Sequence, residues 1–89
     1  MIINNSFEVV EVGGEYLMIP IGEMASSFHG VIVLSEPMAY LLKNSTRSFS
    51  VDDWVALLMS KYEINKLNAA RDIGDILPKL IELQVVETE

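Results

Sequence analysis

The chain has 89 residues, of which 51 % are hydrophobic, and carries a formal net charge of −7. Its length accommodates one domain, residues 1–89, and its apolar content is typical of a folded protein. The acidic balance argues against nucleic-acid binding, which relies on clustered Lys and Arg. The lack of Cys excludes disulfides and thiolate metal sites. No apolar run approaches the ~20 residues that span a bilayer.

The N-terminal part of the chain predicts a β-hairpin. Met1–Ser6 is polar, so we expect a frayed start. It also lacks the basic and long apolar segments of a signal peptide, so we expect a cytoplasmic protein. Phe7–Val12 and Glu15–Pro20 are β-rich and flank Gly13-Gly14, which suits a type I′ turn because both central residues need positive φ. Apolar residues occur at both the odd and the even positions of these strands. The sheet is therefore predicted to be apolar on both faces, with one face incompletely covered.

The middle of the chain predicts a connection followed by a third strand. Glu23–Phe28 is consistent with a single helical turn, with Met24 and Phe28 facing inward. His29 is the only histidine, and we interpret it as an exposed loop residue because no second His or Cys is available to act with it. The β-branched run Val31–Leu34 is the predicted third strand.

Three helices are predicted after this strand. Ser35 caps the first, Glu36 to Lys43, and Ser50 caps the second, which ends near Tyr62 and carries the core anchor Trp54. Asn65 caps the third, which extends to about Leu83. Its apolar stripe consists of Ala69, Ile73, Ile76, Leu77 and Leu80.

The end of the third helix contains a proline. Pro78 removes a backbone hydrogen bond to Gly74, so we expect a kink there but no break, because the apolar period continues. Val85-Val86 is predicted to pack as a short extended tail, with Glu87–Glu89 frayed. The order β-β-β-α-α-α predicts an α+β, winged-helix-like domain in which a three-stranded antiparallel sheet precedes three helices.

Chemical groups for catalysis are sparse. A single histidine is too few for a Ser-His-Asp site or a transition-metal site. Asp52/Asp53 is explained by helix capping, and Asp72/Asp75 lies on a polar helix face. We therefore predict that the chain is not an enzyme and that it has no catalytic residues, cofactor or metal ligands.

Four segments match, in order, the pattern of a known family between roughly Phe7 and Glu87. They are the Gly13-Gly14 hairpin with Tyr16–Gly22, the strand Gly30–Leu34 leading into a helix, the capped helix start Ser50–Val55, and the closing positions Ala69, Asp72, Ile73, Ile76, Leu77, Leu80, Val85 and Val86. This pattern resembles the PqqD-like proteins, or RiPP recognition elements, small winged-helix domains that bind leader peptides of ribosomally made, modified peptides. The chain departs from it at Ser35 in place of Asn, at Gln84 in place of Gly, and at Pro78.

The resemblance implies a non-catalytic peptide chaperone in natural product biosynthesis. In the family, a leader peptide adds as a strand beside the third strand and packs on the third helix, so that a separate enzyme, such as a radical SAM protein, can modify the precursor. Carried over, the peptide-binding residues are Val31, Ile32, Val33, Leu34, Asp72, Ile73, Asp75, Ile76 and Lys79. Core packing is the alternative role for Ile32, Leu34, Ile73 and Ile76.

Two other hypotheses follow from the same elements. The first is a winged-helix DNA-binding regulator, although the third helix carries Asp72, Asp75 and Glu82 among its basic residues. The second is a homodimer in which two edge strands pair with each other.

Overall fold

A computed structural model describes residues 1–27 and 30–88. Three antiparallel strands, in the order β2-β3-β4, precede three helices, which confirms the predicted α+β class. A second sheet, which was not predicted, pairs β1 with β5. The elements are β1 (Ile2–Ile3), β2 (Phe7–Val12), β3 (Glu15–Pro20), α1 (Met24–Ser27), β4 (Ile32–Leu34), α2 (Glu36–Asn44), α3 (Val51–Lys61), α4 (Lys66–Glu82) and β5 (Val86–Glu87).

The predicted hairpin forms between β2 and β3. Gly13 and Gly14 have φ of 59° and 83°, the left-handed values that the two-residue turn requires. Val12 pairs with Glu15 at its base. The predicted turn after the hairpin is the four-residue helix α1. Phe28 and His29, for which inward-facing and exposed loop positions were predicted, lie outside the described residues. The side chain of Met24, which was also predicted to face inward, lies outside what the structure describes.

The chain ends are paired with each other, so the predicted fraying of Met1–Ser6 and of Glu87 was wrong. The strand β1 runs antiparallel to β5, with Ile3 opposite Val86. The N–H groups of Ile3 and Asn4 donate to the carbonyls of Arg47 and Val85, each at 2.8 Å. Ile3 also packs against the core. These bonds satisfy backbone groups that a frayed terminus would leave to water.

The predicted helix starts are confirmed by their caps. Ser35 Oγ accepts the N–H of Met38 at 3.3 Å. Ser50 forms a reciprocal capping box, because its Oγ accepts the N–H of Asp53 at 3.1 Å and its own N–H donates to the Asp53 carboxylate at 2.8 Å. Asn65 Oδ1 accepts an N–H at the start of α4 at 2.8 Å.

The last helix, α4, continues through Pro78, as predicted. Beyond its end, Gln84 adopts a left-handed φ of 64°. Its N–H donates to Ile81 O at 3.0 Å, and the Val85 N–H donates to Leu80 O at 2.9 Å. This bonding is a Schellman motif, which usually has Gly at the left-handed position. Gln84, a residue with a side chain, thus adopts here the left-handed conformation that Gly favours.

The core lies between the helices and the inner face of the three-stranded sheet. Trp54 is completely buried, as its predicted anchor role requires, and stacks on Phe49 with ring centroids 4.1 Å apart. Its Nε1–H donates to Ser45 Oγ at 2.8 Å. The sheet contributes Phe7, Met18 and Leu34 to this core. Among residues 1–27 and 30–88, no helix has the length and apolarity needed to cross a membrane.

Candidate functional site

The strand β4 lies at one edge of the three-stranded sheet, and the register defines which way its backbone groups point. A two-residue turn is closed by a hydrogen-bonded pair, here Val12 and Glu15, and such pairs alternate along antiparallel strands. The N–H and C=O groups of Leu17 and Ile19 therefore point toward β2. The Ile21 N–H donates to Ser6 O at 2.7 Å, which extends the same alternation of hydrogen-bonded pairs by one step. The backbone groups of the alternate β3 residues point toward β4.

This parity leaves one β4 residue with its backbone directed outward. Leu34 and Ile32 pair with Tyr16 and Met18, so their N–H and C=O groups bond to β3. Val33, opposite Leu17, occupies the non-bonded position. Its N–H and C=O point away from the sheet, and neither has a backbone partner among the described residues. The edge of β4 therefore offers one donor and one acceptor, at Val33, for an added strand.

The side chains of β4 divide between the two faces of the sheet. Leu34 is 5 % exposed and Ile32 is half-buried, and both pack with the core. Val33 is 65 % exposed and points to the outer face, as strand alternation requires. Val31, just before the strand, is 53 % exposed. Of the four predicted strand residues, only Ile32 and Leu34 have side chains on the same side of the sheet as the helices.

The predicted residues of α4 also differ in their accessibility. Ile73 is completely buried and belongs to the same core cluster as Leu34, so its side chain is not accessible at the surface. Ile76 is half-buried at the margin of that core. Asp72 and Lys79 are exposed and lie four residues before and three residues after Ile76, which places all three on one flank of the helix. Asp75 is exposed farther round the helix.

A cavity that the sequence analysis missed lies between β3, α2 and α3. Its volume is about 260 Å³, and Tyr16, Glu36, Tyr40, Lys43, Asn44 and Lys61 line it. The i, i+4, i+7 and i+8 spacing of the four α2 residues was the available sequence signal. The Lys61 ammonium lies 5.6 Å from the centroid of the Tyr40 ring.

The Tyr62 side chain adjoins this cavity, and the pKa of its phenol is raised. Its ring packs edge-on against Tyr40 with centroids 6.2 Å apart. Burial raises the pKa of Tyr62 above 10.0, and the nearby carboxylate of Glu36 raises it further. The hydroxyl is buried close to the Glu36 carboxylate. Burial and the neighbouring negative charge both favour the neutral phenol over the phenolate.

At the β4 edge, Val33 offers an outward backbone donor and acceptor. On α4, one flank carries half-buried Ile76 together with exposed Asp72 and Lys79. Within residues 1–27 and 30–88, no group of three His, Cys, Asp or Glu residues is arranged to hold a metal ion. The free backbone groups of β4 suit recognition of an extended peptide, which uses main-chain bonds and alternate side-chain pockets.

Comparison with solved structures gives one clear likeness. The structure of TbiB1 in complex with the TbiA(beta) leader peptide matches this chain with a TM-score of 0.74 and 13 % sequence identity, over 100 % of this chain and 98 % of that one. This chain has the fold of TbiB1. The likeness agrees with the fold that the resemblance to the PqqD-like family predicts. No protein-family model matches the sequence, and neither does any curated protein.

Proposed function

We propose that this chain is a non-catalytic leader-peptide-binding protein, which presents a ribosomally made precursor peptide to a separate modifying enzyme such as a radical SAM protein. The observation that carries the proposal is the free edge of β4, in a fold shared with a protein solved with a leader peptide bound. The peptide adds as a fourth strand beside β4.

The backbone of β4 supplies the sequence-independent part of binding. Val33 donates its N–H to the peptide and accepts a peptide N–H at its carbonyl. Each bond has a net value of about 1 kcal/mol in water. Because β4 has only three residues, this ladder is short. Most of the affinity must therefore come from side-chain contacts.

The flank of α4 supplies those contacts. Alternate side chains of an added strand project to the inner side of the sheet, toward Ile32 and the margin of the core at Ile76. Asp72 and Lys79 lie beside Ile76 and provide a polar rim of both signs, with Asp75 farther round the helix. The buried side chains of Leu34 and Ile73 hold β4 and α4 on a common core.

Calorimetric titration with the synthetic leader peptide encoded beside this chain tests the proposal, with a scrambled peptide of the same composition as control. We expect Ile76→Ala to weaken leader binding about tenfold, since a partly buried Ile side chain is worth roughly 1.5 kcal/mol in a contact. Ile81→Ala is the matched control, because Ile81 is 37 % exposed on the opposite flank of α4.

Three results would contradict the proposal. They are equal binding of the leader and scrambled peptides, equal losses in the two alanine variants, and pairing of β4 with a second copy that excludes the peptide. Light scattering over a concentration series detects the third. DNA binding is not favoured, because the three acidic and three basic residues of α4, counted from Lys66 to Glu82, cancel in charge.

A further inference from the structure

The outer face of the three-stranded sheet carries an apolar surface, here called the outer-face patch, formed by Val10, Val12, Leu17, Ile19 and Val33. The register places Val10, Leu17 and Val33 opposite one another across the three strands. Val12 is 58 % exposed and Val33 is 65 % exposed. Val10, Leu17 and Ile19 are half-buried. An exposed apolar patch rimmed by polar residues is a common mark of an interaction surface.

The margin of the outer-face patch is acidic. Glu8 and Glu15 are exposed on the same face, because they share the strand parity of Val10 and Leu17. The first 42 residues contain five acidic residues and no Lys or Arg. The first basic residue, Lys43, belongs to α2. The three strands therefore contain no Lys or Arg that could neutralise this acidic margin.

The negative charge of this margin favours some binding partners over others. A second copy of the chain would bring two acidic margins together across an apolar centre, and like charges across an interface cost binding free energy. An anionic membrane surface would be repelled for the same reason. A protein surface with an apolar centre and a margin of Lys and Arg is complementary in both respects.

We infer that the outer-face patch docks a partner protein of this kind, and, resting on the proposed function, that the partner is the modifying enzyme. Val33 links the two surfaces, because its side chain belongs to the patch while its backbone forms the free edge of β4. A peptide added at that edge extends the sheet and places every second side chain beside the patch. The docked enzyme therefore lies next to the bound precursor.

The test measures binding of the purified modifying enzyme encoded beside this chain, by biolayer interferometry. The variant Val12→Thr/Glu15→Lys keeps β-forming residues and alters both features of the patch. We expect it to lose at least about tenfold in enzyme affinity. Met59→Gln and Glu11→Lys are the controls: Met59 is 45 % exposed on α3, and Glu11 lies on the inner face of the same hairpin. Each should remain within about twofold of wild type.

The leader-peptide Kd of the same variants separates the two proposals. An unchanged peptide Kd together with weakened enzyme binding supports the inference. Unchanged enzyme binding in Val12→Thr/Glu15→Lys, or no binding of the enzyme to wild type, overturns it and leaves peptide recognition intact. Dimerisation of the wild type that this variant abolishes also overturns it, because a second copy then covers the patch. Failure of the leader to bind refutes the proposed function alone.

Discussion

The outward N–H of Val33 makes a sharp prediction for Val33→Pro. Proline removes the donor that faces the added strand and leaves the bonds of Ile32 and Leu34 to β3 in place. The lost bond is worth about 1 kcal/mol, and a peptide carbonyl left without a partner adds to the cost. We therefore expect a total loss of about 1–2.5 kcal/mol, or roughly 5- to 70-fold in leader-peptide Kd.

The folded state should tolerate this substitution, because the Val33 N–H bonds to no described backbone group. Urea unfolding should show a smaller loss of stability for Val33→Pro than for Ile32→Pro. The latter deprives Met18 of a ladder bond, and an unsatisfied buried carbonyl costs about 1–3 kcal/mol. Val33→Ala separates the effect of the side chain from that of the backbone, since it keeps the N–H.

The matched control lies on the opposite edge of the sheet. Glu11 occupies a non-bonded position of β2, so its N–H also points outward. Glu11→Pro should leave the leader-peptide Kd within about twofold of wild type, because no added strand uses that donor. The reasoning is refuted if Val33→Pro binds the leader as wild type does, or if Glu11→Pro weakens binding equally.

Three further predictions concern the stability of the fold. Gln84→Gly should raise the free energy of unfolding by about 0.5–1 kcal/mol, measured in urea, because φ is 64° there; a loss of stability would contradict this. Ser50→Ala should cost about 1 kcal/mol through loss of the cap, while Ser60→Ala, at an exposed helical site, should cost less than half of that. Because the pKa of Tyr62 is raised in the folded state, the unfolded state releases this proton first as pH rises above 10.0, so stability falls there. Tyr62→Phe should reduce that fall, and an identical pH profile would contradict the assignment.

Much of the fold follows from local signals in the sequence. Gly13-Gly14 specifies its turn because few other residues adopt positive φ, and Ser50 with Asp53 specifies a helix start because both halves of the capping box lie within four residues. The pairing of β1 with β5 has no such signal. Ile3 and Val86 are 83 positions apart, and each two-residue strand is too short to show a period.

For the proposed site, the register adds information that the sequence does not contain. The sequence identifies Val31–Leu34 as a β-branched strand, but not which residues point their backbone groups outward. The outward direction of the Val33 backbone groups follows from the alternation of hydrogen-bonded pairs, counted from the Gly13-Gly14 turn through β3 to β4. Likewise, the α4 stripe contains both Ile73 and Ile76, and only the packed structure distinguishes the buried residue from the one at the margin.

Amide hydrogen exchange of Val33, with and without the leader peptide, tests the central claim most directly. An outward N–H on a free edge exchanges readily in the unbound protein, and an added strand protects it. We predict that saturating leader peptide slows exchange at Val33 and leaves Glu11, which faces outward on the other edge, unchanged. Unchanged exchange at Val33 in the saturated complex, or protection at Glu11 in its place, would contradict strand addition at β4.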